Sequence, residues 1–351
     1  MQKKTGLADL TSDSPAVRTA YAWLGQRRIG FPANADIWHF SFHQATLVPQ
    51  ILDKISRGQY QFSPMQVVNR QQGDALALWG AEDAFVLKII TLTLQTVLPL
   101  HPRCKHIKGH GGHKSAVNLA HQWLQSGDVP FVCKTDIKGY YASINKTHLF
   151  SLLAGVVDDL IMCDLLAQFL EYSVEQGENF HTPERGIPRG CPLSPLLAGF
   201  HLYALDKALS ERKGIRYCRF MDDLLIRSRT RWQLKKAVAI MNQWFTEASL
   251  EQHPDKTFIG RIQRGFDWLG YQYDARGLCA IAPRALANHH LKIQRLFEQA
   301  RCQSVHQKAQ IEQRMLDYIT RWQRWVTAGI DPEFDVLAAK KGTPVTDPGT
   351  G

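Results

Sequence analysis

The sequence of 351 residues contains 42 Lys and Arg against 32 Asp and Glu, which gives a net charge of +10. That length exceeds the usual single domain, and the charge favours a polyanionic partner such as nucleic acid, with a basic enzyme whose lysines are solvated as the alternative. No stretch approaches the roughly 20 apolar residues of a membrane span, and the seven cysteines show no CxxC spacing. We therefore expect a soluble cytoplasmic protein without a zinc knuckle or a disulfide framework.

Apolar periodicity and capping residues predict the secondary structure in chain order. The predicted elements are a basic helix over 18–28, a helix over 81–98 that ends before Pro99, a glycine- and histidine-rich loop over 101–115, a helix from Ala116, a strand over 129–137, a helix from Ser194 as N-cap, a hairpin over 216–228, a helix over 231–250, a hairpin over 266–282 and helices from 283 to about 327. This order predicts an α+β fold with an antiparallel sheet at its centre.

Three carboxylates mark the candidate chemistry. Asp222 and Asp223 lie at the tip of the first predicted hairpin, and Asp136 lies at the end of the predicted strand. Charges in apolar runs are costly unless they are paired. A bound cation would offset that cost, because Mg²⁺ prefers carboxylate oxygens, and two such ions activate a hydroxyl and neutralise a departing pyrophosphate. An ordinary aspartate-rich turn is the alternative.

Five stretches then occur in a fixed order: "KTDIKGYYASI", "RGIPRGCPLSPLLAGF", "YCRFMDDLLI", "HPDKTFIG" and "FDWLGYQY". With them the sequence resembles bacterial reverse transcriptases of the group II intron-like lineage, and the resemblance extends roughly from Asp36 to Val326. It implies a right-hand polymerase fold with fingers, palm and thumb.

The resemblance also implies roles for single residues. Asp136, Asp222 and Asp223 would bind Mg²⁺, or Mn²⁺ as the alternative, and Lys256 would act near the pyrophosphate as general acid or charge stabiliser. Tyr141 would exclude a ribose 2′-hydroxyl. The other implied nucleotide-binding residues are Ile137, Arg189, Gly190, Arg70 and Lys108, and the implied primer grip is Phe266, Trp268, Leu269 and Gly270. Core packing is the alternative role of Tyr141, Trp268 and Leu269, and solvation that of Lys256.

Two departures from the family pattern affect these roles. Arg189 stands where the family commonly has glutamine, which would strengthen a phosphate contact and remove a neutral amide. The region of the usual basic fingers hairpin offers Arg70 and few other cations. Basic groups from the histidine-rich loop would substitute for them, namely Lys108, His110, His113 and Lys114. A metal site at those histidines or a plain surface loop are the alternatives.

The resemblance gives expected boundaries for the parts of the chain. They are an N-terminal extension over 1–35, fingers over 36–128 and 145–195, palm over 129–144 and 196–282, a basic thumb over 283–335 that would track a duplex backbone, and a disordered tail over 336–351. No maturase, endonuclease, integrase or ribonuclease H segment is recognised. We therefore expect a compact type that resembles retron or antiviral-defence reverse transcriptases.

The expected function is RNA-directed DNA synthesis by two-metal nucleotidyl transfer. Expected partners are an RNA template, a DNA product and deoxynucleotides, with a dedicated noncoding RNA, a partner protein or a homo-oligomer left open. Untemplated or protein-primed DNA synthesis at the same site, and a non-catalytic nucleic-acid-binding protein that keeps the fold, are the alternatives.

Overall fold

The structure is a computed structural model that describes residues 6–68, 76–302 and 305–329. Within these ranges the helices are α1 (Pro15–Arg28), α2 (Asp36–Phe42), α3 (Gln44–Ser56), α4 (Ala81–Leu94), α5 (Gly112–Gln125), α6 (Tyr140–Ser143), α7 (Lys146–Ala154), α8 (Leu160–Leu170), α9 (Ser194–His201), α10 (Tyr203–Ser210), α11 (Arg231–Glu247), α12 (Pro283–Arg301) and α13 (Val305–Gly329). The strands are β1 (Met65–Val68), β2 (Leu76–Leu78), β3 (Phe131–Asp136), β4 (Val174–Gln176), β5 (Asn179–His181), β6 (Ile215–Phe220), β7 (Asp223–Ser228), β8 (Phe258–Arg261), β9 (Phe266–Trp268), β10 (Tyr271–Asp274) and β11 (Gly277–Ile281). The mixed content of helix and sheet agrees with the α+β prediction.

The central sheet has the strand order β6-β7-β3-β8, and all of its neighbours are antiparallel. The hairpin predicted over 216–228 is confirmed as β6 and β7, and the predicted strand over 129–137 is confirmed as the shorter β3. The register pairs Asp136 of β3 with Asp223 of β7, and it pairs Asp223 with Phe220 of β6 on the other side. The end of β3 therefore lies beside the β6–β7 turn.

Both faces of the central sheet are buried. Successive residues of a strand point to opposite faces, so neighbouring residues of β7 belong to different cores. On one face, Leu224 and Ile226 belong to the large core that includes apolar residues of α10 and α11. On the other face, Cys218 and Leu225 belong to a second core that includes α5 and the strands β9 and β10. Burial on both sides fixes the sheet, and with it the turn at its end.

The helix α11 shows why its sequence folds as predicted. The hydroxyl oxygen of Thr230 accepts a hydrogen bond from the backbone N–H of Gln233, and the side-chain oxygen of Gln233 accepts one from the backbone N–H of Thr230, which forms a capping box. Apolar periodicity predicts one stripe on this helix, formed by Leu234, Val238, Met241 and Phe245. The stripe is confirmed, since Val238 is partly buried against the large core and the other three belong to it. Each such side chain contributes about 1.5–3 kcal/mol by burial.

A second sheet of three strands, in the order β11-β10-β9, packs behind the central one. The hairpin predicted over 266–282 is confirmed as β10 and β11, which turn between Asp274 and Gly277, and β9 adds a third strand that pairs with β10. The helix α13 closes this side, because the ring of Trp325 stacks on that of Tyr271 with centroids 4.8 Å apart.

A third sheet has the order β2-β1-β4-β5, with β1 and β4 parallel. The helix α1 packs on α4 beside this sheet, and buried residues of both helices belong to the large core. The N-terminal segment is therefore integrated with the rest of the described chain. The predicted tail over 336–351 lies outside the described residues.

Three predicted helix boundaries were wrong. The helix predicted over 81–98 ends at Leu94, and α5 begins at Gly112 instead of Ala116. Ser194 does not act as an N-cap, because its hydroxyl donates to the carbonyl oxygen of Pro188 at 2.5 Å.

The predicted helix from Ser194 is also broken in two at Leu202, where φ is −104° and ψ is 15°. The carbonyl of Gly199 in the last turn of α9 accepts a hydrogen bond from the guanidinium of Arg219 at 3.0 Å. That contact engages a carbonyl that an uninterrupted helix would use for its own backbone.

The described helices include none with the length and apolar content that a bilayer crossing requires. The seven cysteines are all free thiols, and Cys302 is the exposed one.

Candidate active site

The three predicted carboxylates lie together at one end of the central sheet. Asp136 ends β3, Asp223 begins β7 directly opposite it, and Asp222 occupies the turn between β6 and β7. Each offers a carboxylate oxygen, and the three oxygens lie within 4.8 Å of one another. Among the described residues, these aspartates form the one group of three or more Asp, Glu, His or Cys side chains that could hold a metal ion. Asp136 is buried, whereas Asp222 and Asp223 are half-buried.

Burial and mutual repulsion make this cluster unfavourable as three free anions. Burial first, and then the charges of Asp222 and Asp136, raise the pKa of Asp223 to about 7. Burial and the charge of Asp136 also raise the pKa of Asp222. A divalent cation would favour the ionised forms, and hard carboxylate oxygens are the ligands that Mg²⁺ and Mn²⁺ prefer. The side chains present therefore fit a divalent metal.

Lys256 supplies a positive charge at the edge of this cluster. Its Nζ donates a hydrogen bond to Asp136 Oδ2 at 2.9 Å. The residue was expected near a pyrophosphate, and the structure places it against the carboxylate of Asp136. Asp136 therefore combines a contact with Lys256 and a carboxylate oxygen that lies within 4.8 Å of oxygens of the other two aspartates.

The turn that carries Asp222, residues 220–223 and hereafter the aspartate turn, is held through the backbone of Met221. That residue adopts the left-handed φ of 57°, which costs a non-glycine residue about 1–2 kcal/mol. Its N–H donates to Nδ1 of His106 at 3.1 Å, and its carbonyl accepts from Nη1 of Arg219 at 2.9 Å. Two side chains thus fix the peptide groups on either side of the strained residue.

The two side chains that hold Met221 are themselves anchored. Arg219 is fully buried and forms two hydrogen bonds with the fully buried Asp206, at 2.8 and 2.6 Å. His106 Nε2 lies 3.0 Å from the carbonyl oxygen of Pro195 and donates to it, which leaves Nδ1 as the acceptor for Met221. Burial, followed by the nearby charge of Arg219, lowers the pKa of His106 to about 4, so the ring stays neutral.

Three of the six predicted nucleotide-binding residues line a cleft of about 690 Å³ that reaches Asp222. Tyr141, Arg189 and Gly190 line it. Burial is the main cause that raises the pKa of Tyr141, and its hydroxyl therefore stays protonated. The positive charge of Arg189 favours ionisation of Asp222.

The loop that carries Arg189 is joined to the segment that carries Tyr141. The N–H of Ile187 donates to the carbonyl of Tyr141 at 2.8 Å, and Gly186 has a φ of 89°. A Cβ on Gly186 would lie 2.8 Å from the backbone of Ala142, so this close approach requires glycine. Tyr141 and Arg189 are therefore fixed relative to each other.

Other predicted nucleotide-binding residues lie elsewhere. Ile137 is fully buried and contributes its backbone, whose N–H donates to the carbonyl of Asp222 at 3.1 Å. Lys108 is exposed and lies near Lys88, since its charge helps to lower the pKa of Lys88, although burial is the larger cause. Arg70 lies outside the described residues.

Histidine side chains of the loop over 101–115 form hydrogen bonds with backbone groups in this structure. His106 holds Met221, and His110 Nδ1 lies 2.9 Å from the carbonyl oxygen of Cys104. His113 Nε2 lies 3.2 Å from the carbonyl oxygen of Leu269. Among the residues that the structure covers, these rings form no group that could hold a metal, so the alternative of a histidine metal site is not supported.

The predicted primer-grip residues form a second tight turn, residues 268–271 and hereafter the leucine turn. Trp268 pairs with Tyr271, while Leu269 and Gly270 adopt φ values of 49° and 83°. A type I′ hairpin turn needs two left-handed residues. Phe266 and Trp268 are buried in the second core, so packing accounts for them as well as the predicted role does.

Sequence analysis missed several residues of this region. Trp23, Arg27 and Lys88 line the cleft together with Asp222, although α1 and α4 are far from the motifs in the chain. The basic character of α1 was noticed, but its position beside the cleft depends on long-range packing. Nothing in the local pattern around His106 or Asp206 marked their contacts with the aspartate turn.

Comparison with known proteins agrees with this geometry. A family model described as "Reverse transcriptase (RNA-dependent DNA polymerase)" matches residues 85–273, which is more than half of the chain. The group II intron-encoded protein LtrA of Lactococcus lactis subsp. cremoris is 32% identical over 87 residues, which cover 25% of this chain and 14% of that protein. The COX1/OXI3 intron 1 protein of Saccharomyces cerevisiae is 22% identical over 171 residues, 46% of this chain and 20% of that protein. The matched part of the chain thus spans a small fraction of these curated relatives.

Proposed function

The chain belongs to the reverse transcriptase family, and from that premise we propose that it is an RNA-directed DNA polymerase of the group II intron-like type. The observation that carries the proposal is the convergence of Asp136, Asp222 and Asp223 at the end of the central sheet. Carboxylates in this arrangement suit two-metal nucleotidyl transfer.

The sheets and helices can be assigned to the palm, fingers and thumb of a right-hand polymerase. The central sheet with 129–144 and 196–282 would form the palm, 36–128 and 145–195 the fingers, and 283–335 the thumb, preceded by the extension over 1–35. Exposed arginines and lysines of α12 and α13 support a thumb that contacts a duplex backbone, since such contacts give affinity with little sequence preference. They are Arg284, Lys292, Arg295, Arg301, Lys308, Arg314, Arg321 and Arg324.

Each residue near the carboxylates has a proposed task. When Mg²⁺ is bound, it supplies charge neutralisation and an activated 3′-hydroxyl, and Asp136, Asp222 and Asp223 hold it. Tyr141 presents a rigid ring in the cleft and excludes a 2′-hydroxyl there. Lys256, which bonds Asp136 in this structure, is proposed to release that contact and to stabilise or protonate the leaving pyrophosphate.

The leucine turn is proposed to support the primer's 3′ end. Its backbone is held by His113 and by Gly270, whose carbonyl accepts from the N–H of Ala282 at 2.8 Å. A fixed hairpin presents its outward backbone groups to a strand without changing shape. The side chains of Phe266 and Trp268 would act here through packing.

Primer extension tests the proposal. Asp222→Asn should lower deoxynucleotide incorporation with Mg²⁺ by about a thousandfold or more, because several kcal/mol of transition-state stabilisation would be lost. Asp255→Asn is the matched control, since Asp255 is exposed beside Lys256 and is not part of the carboxylate cluster. Equal incorporation by wild type and Asp222→Asn would contradict the mechanism.

The template requirement is settled by comparing an RNA template, a DNA template and none, and by sequencing the products. The proposal expects product that depends on, and copies, the RNA. Product made after nuclease treatment and without added template would instead support untemplated or protein-primed synthesis, and no product under any condition would support a non-catalytic binding protein.

A role in antiviral defence or in a retroelement-derived system, with a noncoding RNA or a protein as partner, is proposed from the family resemblance. The purified protein should then retain a specific RNA, which sequencing of copurifying nucleic acid would identify. Random cellular RNA in that sample would contradict a dedicated RNA partner.

A further inference from the structure

One side of the cleft beside Asp222 is formed by residues that lie outside the five sequence motifs. The helix α1 contributes Trp23 and Arg27, and α4 contributes Lys88. Lys88 Nζ lies 5.4 Å from the centroid of the Trp23 ring, so the aromatic side chain supports the ammonium group from one side. Arg189 completes the set of cations that line the cleft.

These cations have no anionic partner of their own among the residues the structure describes. None of the ion pairs found there includes Arg27, Lys88 or Arg189. Arg28, the next residue of α1, differs in that it is buried and pairs with Asp36 at 3.0 Å. Arg28 thus anchors the end of α1, and the neighbouring Arg27 is left to face the cleft.

The charge of Lys88 is disfavoured as the cleft stands. Burial lowers its pKa, and the charge of Lys108 lowers it further. A half-buried ammonium that is repelled by a second cation is stabilised when an anion enters beside it. The cleft therefore contains positive side chains without an ion-pair partner among the described residues, and it also reaches the carboxylate of Asp222.

We propose that Arg27 and Lys88, together with Arg189, bind the triphosphate of the incoming nucleotide. This inference rests on the proposed polymerase function and assigns the triphosphate contact to α1 and α4. A cleft of about 690 Å³ has the size of a small-molecule site. Guanidinium groups bind phosphate in a bidentate way and an ammonium group binds it as a point charge, so the two residue types complement each other.

Nucleic-acid phosphate is the other source of the same chemistry, and the test separates the two. Calorimetry of the full-length protein with Mg²⁺ would measure binding of dATP and of inorganic tripolyphosphate. Primer extension would give KM for dATP, and a separate titration would give Kd for a primer–template duplex. The variants are Arg27→Gln and Lys88→Gln, with Arg27→Lys to restore the charge.

Arg18→Gln is the matched control, because Arg18 is an exposed arginine of the same helix and does not line the cleft. If Lys88→Gln unfolds, Lys88→Met keeps the aliphatic stem against Trp23 and removes the charge. Thermal melting of every variant identifies a loss of folding.

The proposal predicts that Arg27→Gln and Lys88→Gln each raise KM for dATP and Kd for tripolyphosphate about tenfold to a hundredfold, as expected for a lost charge-assisted hydrogen bond. Arg27→Lys should recover part of the loss, while Arg18→Gln and Kd for the duplex stay unchanged. Unchanged affinity for both phosphates, or a loss confined to the duplex, would overturn the proposal and leave the polymerase function intact. A wild-type protein that binds tripolyphosphate through Arg27 and extends no primer would support the site and contradict the polymerase function.

Discussion

The aspartate turn and the leucine turn solve the same backbone problem in different ways. Both are two-residue hairpin turns whose first residue, Met221 or Leu269, is a bulky side chain in a left-handed conformation. Type I′ and II′ turns favour glycine or asparagine there, so both turns carry strain.

Polar side chains hold the aspartate turn. His106 and Arg219 bond the N–H and the carbonyl of Met221, and Arg219 is in turn paired with the buried Asp206. The carboxylates of Asp222 and Asp223 take no part in fixing the turn in this way. They therefore remain available to a ligand.

Packing holds the leucine turn. Trp268 and Tyr271 are buried on either side of it, and the ring of Trp325 lies where a Cβ on Gly270 would be. One histidine contact, from His113 to the carbonyl of Leu269, adds to this packing. The turn whose carboxylates are proposed to bind metal is thus held by polar contacts to its backbone, whereas the turn without such carboxylates is held mainly by the rings of its neighbours.

The largest loss of stability is expected when the polar contacts that support the aspartate turn are removed. Asp206→Leu leaves the guanidinium of Arg219 buried and uncompensated, which should lower the free energy of unfolding by about 3–5 kcal/mol. Urea denaturation measures it. The double variant Asp206→Leu with Arg219→Leu should recover much of this loss, because it removes both charges.

The exposed pair of Lys207 and Glu211 on the same helix provides the control. Lys207→Ala should change stability by less than about 1 kcal/mol. A loss of that small size for Asp206→Leu would show that the buried pair does not support the turn.

The next prediction concerns pH and the neutral ring of His106. The pKa of His106 is lowered to about 4 in the folded protein, chiefly by burial. Between the ordinary histidine pKa and pH 4 the unfolded chain binds the extra proton, so the contribution of His106 to stability falls as the pH falls. At pH 4 the loss approaches about 3 kcal/mol.

Urea denaturation of wild type and His106→Gln at pH 7 and pH 4 checks this sign. The stability difference between the two proteins should shrink on acidification. His113→Gln at the leucine turn should show the same sign, since burial also lowers the pKa of His113. A difference that grows toward pH 4 would contradict a neutral His106.

The smallest predicted effect tests the packed turn. Gly270→Ala places a methyl group into the ring of Trp325 at a φ of 83°, and should cost about 2 kcal/mol of stability. Gly109→Ala is the matched control, because Gly109 has a φ of 93° and, among the described residues other than its chain neighbours, none places an atom within 4 Å of the added Cβ. Equal losses for both variants in thermal melting would show that backbone strain alone is measured and that Trp325 does not support the turn.

Local sequence pattern was sufficient for the elements whose contacts are close in the chain. The pair of aspartates within an apolar run predicted the hairpin of the aspartate turn, and periodicity predicted the buried stripe of α11. The ordered motifs pointed to Asp136 beside Asp222, and the sheet register brings the two together.

Contacts between segments that are distant in the chain could not be predicted from the sequence. The break at Leu202 follows from a guanidinium that approaches Gly199 from β6, and the place of Arg27 follows from the packing of α1 on α4. The contact of Lys256 with Asp136 joins residues 120 positions apart. Local propensity contains no information about any of these partners.

Anomalous diffraction from crystals soaked with Mn²⁺ tests whether Asp136, Asp222 and Asp223 hold divalent cations. We expect an anomalous peak within about 2.2 Å of carboxylate oxygens of Asp136 and Asp222, with Lys256 displaced from Asp136, and no such peak in Asp222→Asn. A wild-type crystal without a peak at this position, in which Lys256 still bonds Asp136, would contradict this expectation.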